Sequence, residues 1–434
     1  MYLLNRLSTY YGIPELSEFE PLTMFFRLDL HLISPSFMSK LADRITHLSE
    51  SQTIAMAKLS RELQDQGHDI ISLSLGEPDF ITPDDIRESA KKAIDEGFTK
   101  YSPIAGFIDL RQAISDKFKN ENNLEFSPDQ IVVSTGAKQS IANVVLSLVN
   151  PGDEVIVPAP YWVSYTQIIK LAEGKSVFIP STVETDYKVT AEQIRKTITP
   201  KTKMFVFSSP CNPSGSVYTK EELAAIADVI AEFDDLYVLS DEIYEHINFS
   251  GKHESIAQFE NMKDRVIVVN GVSKGYAMTG WRIGYIGAPK WIAQACDKMQ
   301  GQFTSGTSSI SQKAATAALR SGSSFYDMMR KSYLRRRDLV VSMLNKVPGM
   351  KVNIPMGAFY VFPDVSSFFG KTYNQTVIKN ATDLSMFLLN NAKVSVVTGE
   401  AFGDKNCIRI SYATSDDLLK EAMTRIGTTL AKLQ

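Results

Sequence analysis

Val266-Ile267-Val268-Val269-Asn270-Gly271-Val272-Ser273-Lys274-Gly275-Tyr276-Ala277-Met278-Thr279-Gly280-Trp281-Arg282 is the stretch whose reading decides the fold. Its opening run is apolar and β-branched, too short for a helix, and predicts a buried strand that stops at Gly271. Ser273 and Lys274 then stand at the carboxyl end of that strand, among Gly, Tyr, Met and Trp. A lysine there loses part of its hydration, which disfavours the ammonium and lowers its pKa, as an amine forming a Schiff base requires. Arg282 adds a planar cationic fork suited to a phosphate. An isolated Ser-Lys beside an arginine would read better as a surface loop, and it is the surrounding chain that reverses this.

Outward from this stretch, the pattern repeats. Ile131–Ser134, Glu154–Val157, Ser176–Ile179, Lys203–Phe207, Leu236–Ser240, Val266–Asn270 and Ile283–Ile286 read as strands, with helical periodicity between most of them. The helix from Lys220 to Phe233 opens with a capping box, Thr219 with Glu222. Earlier in the chain, the apolar spacing Ile54, Ala57, Leu59, Leu63 predicts a helix over 51–66, and Ile70–Leu75 a short strand. Such alternation predicts an α/β fold with a mostly parallel seven-stranded sheet covered on both faces. Ligands of such sheets bind beyond the carboxyl ends of the strands.

Each strand end carries polar or aromatic residues. Ser134-Thr135-Gly136-Ala137-Lys138 opens a helix with small residues whose N–H groups can cradle a phosphate. It lacks the Gly-x-x-x-x-Gly-Lys pattern of a nucleotide triphosphatase. Trp162, in Pro160-Tyr161-Trp162, either stacks on a flat ring or packs in the core. Asn212, in the turn Ser209–Gly215, either bonds a ring hydroxyl or caps its turn. Asp241, after Leu236–Ser240, either holds a pyridine nitrogen protonated or caps a helix, and Tyr244 can reach a ring oxygen. Gly76, in Gly76-Glu77-Pro78-Asp79-Phe80, either lets the backbone approach a ligand or simply turns the chain. Phosphate donors, a stacking ring, a hydroxyl partner, a carboxylate and an amine together are what pyridoxal 5′-phosphate needs.

Ser273-Lys274-Gly275-Tyr276-Ala277-Met278-Thr279-Gly280-Trp281-Arg282-Ile283-Gly284, with Asn212-Pro213-Ser214-Gly215 and Asp241-Glu242-Ile243-Tyr244, resembles the class I aminotransferases of fold type I. Within them the chain most resembles the bacterial aspartate aminotransferases of subgroup Ib, from about Met38 to its end. The resemblance implies that Lys274 links to the cofactor and shuttles a proton, Asp241 pairs with the ring nitrogen, and Tyr244 and Asn212 hold the phenolic oxygen. It further implies that Trp162 stacks on the ring, and that Ser273, Arg282 and the Gly136-Ala137-Lys138 backbone bind phosphate. Tyr101 would reach the phosphate of a neighbouring subunit's cofactor, which implies a homodimer with shared sites.

For the substrate, the resemblance points to Arg409, in Cys407-Ile408-Arg409-Ile410-Ser411-Tyr412, as the partner of the α-carboxylate. A surface ion pair is the plain alternative. Trp162, Asn212 and the Gly76 backbone would add donors. Lys138 is similar to a subgroup Ib lysine that binds the distal carboxylate of aspartate or glutamate, and some members with this lysine and a threonine matching Thr53 also accept prephenate. Lys138 as a plain phosphate counter-charge is the alternative. The expected reaction is ping-pong transfer between L-aspartate and 2-oxoglutarate. The rivals are an aspartate/prephenate enzyme, an aromatic aminotransferase or a carbon–sulfur β-lyase; Lys138 argues against the last two.

Composition bounds the rest. The 434 residues, 44% of them hydrophobic and 22% charged, suggest an ordinary globular protein of two domains. The net charge of −3 gives no basic excess for nucleic acid or an anionic membrane. Cys211, Cys296 and Cys407 form no close pair and leave one over in any disulfide scheme, which suits a reducing, cytoplasmic setting, and five scattered histidines show no metal spacing, so no metal is expected. No apolar run reaches membrane-spanning length. Residues 1–37 lack the order of a signal peptide and are expected to be a dispensable or poorly ordered extension, or an arm on a partner. They are too few for the winged helix of a pyridoxal-binding transcription regulator. Residues 38–82 and 322–434 are assigned to a small domain and 83–321 to a large cofactor-binding domain.

Overall fold

The structure, a computed structural model, describes residues 41–434, so the extension at 1–37 lies outside the described residues. Two units divide the chain, Met1–Leu48 and Ser49–Gln434. In the first, the described residues hold one helical turn, Asp43–Thr46. Ser49–Gln434 holds every other element of the described residues.

Strand β1 is Ile71–Ser72. Strands β2 (Ile131–Ser134), β3 (Glu154–Ala159), β4 (Lys175–Pro180), β5 (Thr202–Ser208), β6 (Tyr237–Asp241), β7 (Val266–Gly271) and β8 (Gly284–Gly287) form one sheet in the order β2-β8-β7-β6-β5-β3-β4. Every pairing among β3 to β7 is parallel, whereas β8 runs antiparallel to both neighbours, pairing Gly271 with Gly284 and Ser134 with Gly284. Strand residues alternate between two cores. Ile156, Phe205, Val238, Val266 and Val268 enter one apolar cluster, while Val155, Val157, Met204, Leu239, Ile267 and Val269 enter another on the opposite face. This period of two is why the strands read as continuous apolar runs: both faces are covered. Lys220–Ala231 carries the expected capping box, with Glu222 N–H donating to Thr219 Oγ1 at 3.3 Å and Thr219 N–H to Glu222 Oε2 at 2.8 Å.

The later chain supplies β9 (Tyr360–Val361), a small hairpin of β10 (Thr372–Tyr373) and β11 (Thr376–Val377), β12 (Val394–Ser395), β13 (Val397–Thr398) and β14 (Ile408–Ser411). Strands β13-β14-β9 make an antiparallel sheet, and β1 pairs in parallel with β12. Helices Ser324–Leu344 and Asp416–Leu430 pack together, joined where Asp416 accepts from Arg335 (2.7 Å) and Arg336 (3.3 Å).

Two local expectations change. The strand expected over 70–75 is only Ile71–Ser72, because beyond it the backbone turns its polar groups to other partners: Ser74 C=O to Arg409 and Gly76 C=O to Lys274. The helix Gln52–Asp65 forms, but its buried face is Met56 and Ser60, with Leu59 and Leu63 partly buried. Ile54, expected on that face, is 58% exposed and stands beside the cavity described next.

Candidate active site

The carboxyl ends of β5, β6 and β7 open onto a cavity of about 340 Å³. Thr53, Gly76, Ala137, Lys138, Trp162, Asn212, Asp241, Tyr244, Ser273, Lys274, Arg282 and Arg409 all line it. Gly136 and Tyr101 do not. Gly136 lies just behind, and Tyr101, fully exposed, borders a separate depression with Ser102 and Gly306–Ile310.

Asp241 ends β6, and no helix begins after it, so it is not a helix cap. Its carboxylate accepts from the Tyr165 hydroxyl at 2.7 Å and from Ile243 N–H at 3.3 Å. Burial raises its pKa to about 6, with the Tyr165 hydrogen bond pulling the other way. Lys274 follows β7 and donates from Nζ to the Gly76 carbonyl at 2.5 Å. Its ammonium lies over the rings of Tyr244 (5.7 Å) and Phe359 (5.8 Å). Burial lowers its pKa to about 8; Glu77 and Asp241 oppose that shift, while Arg409 and Arg282 add to it. A carboxyl group pushed up and an amine pushed down in one cavity are the marks of groups poised for proton work.

At the other end, Arg282 adopts a left-handed backbone (φ 57°) and bonds back to Thr279 C=O at 2.8 Å and Thr135 C=O at 3.4 Å. A Cβ on Gly136 would overlap the Arg282 guanidinium, and one on Gly284 would overlap the Gly136–Ala137 backbone. Only glycines allow this arginine to lie against the amino end of helix Ala137–Leu148. Lys138 Nζ sits 5.2 Å from the Trp162 ring, and its pKa is lowered by burial and then by Arg282. The Trp162 ring meets Tyr165 edge-on at 5.4 Å. Thr53 Oγ1 hydrogen-bonds Ser51 Oγ at 2.7 Å near the start of its helix.

Arg409, on β14, is buried and among the described residues faces no carboxylate, which argues against a surface ion pair. It donates to Asn212 Oδ1 (3.0 Å) and Ser74 C=O (2.6 Å), with its guanidinium over the rings of Tyr360 (4.5 Å) and Phe402 (4.8 Å). Its Nε is buried and has no hydrogen-bond partner among the described residues. A buried guanidinium with an unmet N–H is a receptor for an anionic oxygen. Asn212 is therefore turned toward Arg409, not merely capping its turn. Gly76 is more than a turn residue too: a Cβ there would overlap the Tyr360 hydroxyl.

Sequence reasoning missed Tyr165, Tyr360, Ser74, Glu77 and Thr279. Tyr165 was findable, since it lies one helical turn beyond Trp162. The others follow from long-range packing, such as the hydrogen bond from Thr279 Oγ1 to the Glu77 carboxylate. The histidines also proved less scattered than their spacing suggested. His246 gathers with Glu121 and Glu245, and His253 with Glu242 and Glu245. The ammonium of buried Lys117 takes the centre, bonded to Glu245 and to Asn122 Oδ1.

Residues 68–426 match the family Aminotransferase class I and II, and the chain belongs to that family. Its architecture is that of the fold type I transferases. Among curated relatives, an aspartate/prephenate aminotransferase of Cereibacter sphaeroides is 46% identical over 399 residues, covering 91% of this chain and 100% of the relative. The crystal structure of the aspartate aminotransferase from Rhizobium meliloti superposes with a TM-score of 0.88 at 41% identity, covering 91% of this chain and 99% of that one. The aspartate aminotransferase of Thermus thermophilus with maleate gives a TM-score of 0.85 at 39% identity, covering 90% and 99%. Membership of the family implies pyridoxal phosphate, and the donor set fits it. Cationic Lys138, Lys274, Arg282 and Arg409 outnumber the carboxylates Glu77 and Asp241 in the cavity wall, leaving room for a dianionic phosphate and for substrate carboxylates.

Proposed function

We propose that the chain is a pyridoxal-phosphate-dependent aspartate aminotransferase, exchanging the amino group between L-aspartate and 2-oxoglutarate in two half-reactions. The observation that carries this reading is the pairing of Lys274 and Asp241 in one cavity, their pKa values displaced toward each other. When bound, pyridoxal phosphate supplies the carrier for the amino group and an electron sink. The chain's own residues do the rest. Asp241 holds a proton on the ring nitrogen, and Tyr165 holds Asp241 in place and favours its charged form. Tyr244 and Asn212 hold the phenolic oxygen, and Trp162 stacks on the ring. Ser273, Arg282 and the Gly136, Ala137 and Lys138 N–H groups receive the phosphate. Lys274 Nζ would take the proton from the substrate Cα and return it; its lowered pKa gives the free amine a large unprotonated fraction near pH 8.

Arg409 receives the α-carboxylate, and its unpartnered Nε supports that role. Trp162, Asn212 and the Gly76 backbone assist. Lys138, at the cavity wall with Thr53, receives the distal carboxylate. The relatives named for aspartate and the neighbour solved with maleate, itself a dicarboxylate, support this choice. A second reading, prephenate as amino acceptor, is favoured by Thr53 and Lys138 sharing that wall and by the relative named aspartate/prephenate aminotransferase. The wholly exposed Tyr101, outside its own subunit's cavity, supports a homodimer in which it serves the partner's site. The three-stranded sheet apart from the seven-stranded one, and the pairing of β1 with β12, support the division into 38–82 with 322–434 and 83–321. Among the described residues no helix is long and apolar enough to cross a membrane. Three free, buried cysteines suit a reducing compartment, and we place the protein in the cytoplasm on that ground.

Purified protein should bind pyridoxal phosphate with a lysine-linked absorbance and transfer amino groups from aspartate to 2-oxoglutarate. Lys274→Ala should lose both, and full activity in that variant would defeat the assignment. Comparing aspartate with glutamate as donors to prephenate decides between the two substrate readings.

A further inference from the structure

We propose that Tyr360, through its hydroxyl, is a positioning residue for Tyr244, coupling the carboxylate-binding arginine to the group that holds the cofactor's phenolic oxygen. The proposal rests on the cofactor reading above. Tyr360 opens β9, is wholly buried, and touches three parts of the site at once. Its hydroxyl lies 2.7 Å from the Tyr244 hydroxyl. Its ring carries the Arg409 guanidinium at 4.5 Å. Its hydroxyl also occupies the space a side chain on Gly76 would need, and the Gly76 carbonyl is what holds Lys274.

The direction of the Tyr244–Tyr360 bond follows from proton counting. Each phenol has one proton to donate. If Tyr244 donates to the cofactor oxygen, it can only accept from Tyr360, so the chain runs from Tyr360 to Tyr244 to the cofactor. A hydroxyl that accepts at its oxygen becomes a stronger donor through its hydrogen. Tyr360 thus strengthens the hydrogen bond Tyr244 makes, without itself touching the cofactor. The charged groups facing Tyr244 are Arg409 and Asp241, with the Lys274 ammonium over its ring. Among the described residues none of them hydrogen-bonds the Tyr244 hydroxyl, whereas the Tyr360 hydroxyl does.

A hydrogen bond to the phenolic oxygen withdraws electron density from the lysine–cofactor nitrogen and lowers the pKa of the bound chromophore. The test is a pH titration of that absorbance in wild type, Tyr360→Phe, Tyr244→Phe and the double variant, with a melting curve for each. Phe at 360 keeps the ring under Arg409 and removes only the hydroxyl. We expect Tyr360→Phe to raise the chromophore pKa by roughly 0.3 to 1 pH unit, in the direction of Tyr244→Phe and by less. The double variant should titrate like Tyr244→Phe alone, and the KM for the amino acid should stay within about twofold, since the Arg409 stack remains. A chromophore pKa unchanged in Tyr360→Phe, or shifts that add fully in the double variant, would overturn the inference. Absence of any chromophore in wild type would instead overturn the cofactor reading beneath it.

Discussion

Replacing Tyr165 with Phe isolates one hydrogen bond, the 2.7 Å donation to the Asp241 carboxylate. The Phe ring keeps its buried position edge-on to Trp162, so the change is confined to the hydroxyl. The Asp241 pKa is about 6, above the ordinary carboxylate value because burial outweighs the hydrogen bonds. A raised carboxyl pKa means the folded protein retains a proton that the unfolded chain has released. Stability therefore falls as pH rises through the window from about 4 to about 6. Above that window the carboxylate is ionised, and Tyr165 is its strongest donor. A hydrogen bond to a charged group contributes about 1.5–3 kcal/mol, which at about 1.4 kcal/mol per pK unit moves the Asp241 pKa up by roughly one to two units. Two measurements read this. The melting-temperature deficit of Tyr165→Phe apoprotein should be larger at pH 8 than at pH 5, where the neutral acid needs the hydroxyl less. The acid limb of pyridoxal phosphate affinity should move upward by roughly one to two pH units. Equal deficits at both pH values with an unmoved acid limb would refute the reasoning.

Gly76→Ala puts a methyl where the Tyr360 hydroxyl lies, so its chromophore pKa should rise as in Tyr360→Phe while the amino-acid KM rises too, read by spectral titration and steady-state kinetics. Arg409→Leu removes the buried receptor for the α-carboxylate, and kcat/KM for aspartate should fall by roughly two to three orders of magnitude with cofactor binding retained, a loss of about 3–4 kcal/mol. Lys117→Met leaves Glu245 buried without its cation, at a cost of about 3–5 kcal/mol. Lys117 and the nearby histidines hold the Glu245 pKa below the usual carboxylate range, so that contribution is present at neutral pH and fades as pH falls. The stability gap between variant and wild type in urea unfolding should accordingly be widest near neutrality and narrow on acidification.

Much of this site was legible because its parts sit at strand ends, and strands buried on both faces announce themselves as apolar runs. Lys274, Asp241, Asn212 and the Ser134–Lys138 turn each follow such a run directly, so sequence position gave spatial position. The residues that orient them are different. Tyr360 lies on β9 and Glu77 in a turn, and they reach the cavity from segments whose course depends on packing between distant parts of the chain. Nothing local separates them from ordinary core or turn residues. Ile54 shows the converse failure: it belongs to the apolar spacing that predicts the helix, yet it is exposed and stands beside the cavity. Periodicity identified the helix but not which face the rest of the protein would cover.

The one strand that reverses direction inside the large sheet has a mechanical consequence. Because β7 and β8 are antiparallel neighbours, Lys274 and Arg282 share a single closed loop, shut at its base by the Gly271–Gly284 pair. In a parallel arrangement these two side chains would belong to different crossovers and could drift independently. Here a displacement of the sheet carries amine and guanidinium together, so the gap between them is set by this one loop and by the carbonyls that anchor each side chain, Gly76 for Lys274 and Thr135 with Thr279 for Arg282. Lengthening that loop by a single glycine should uncouple them even though no side chain in the cavity has been altered.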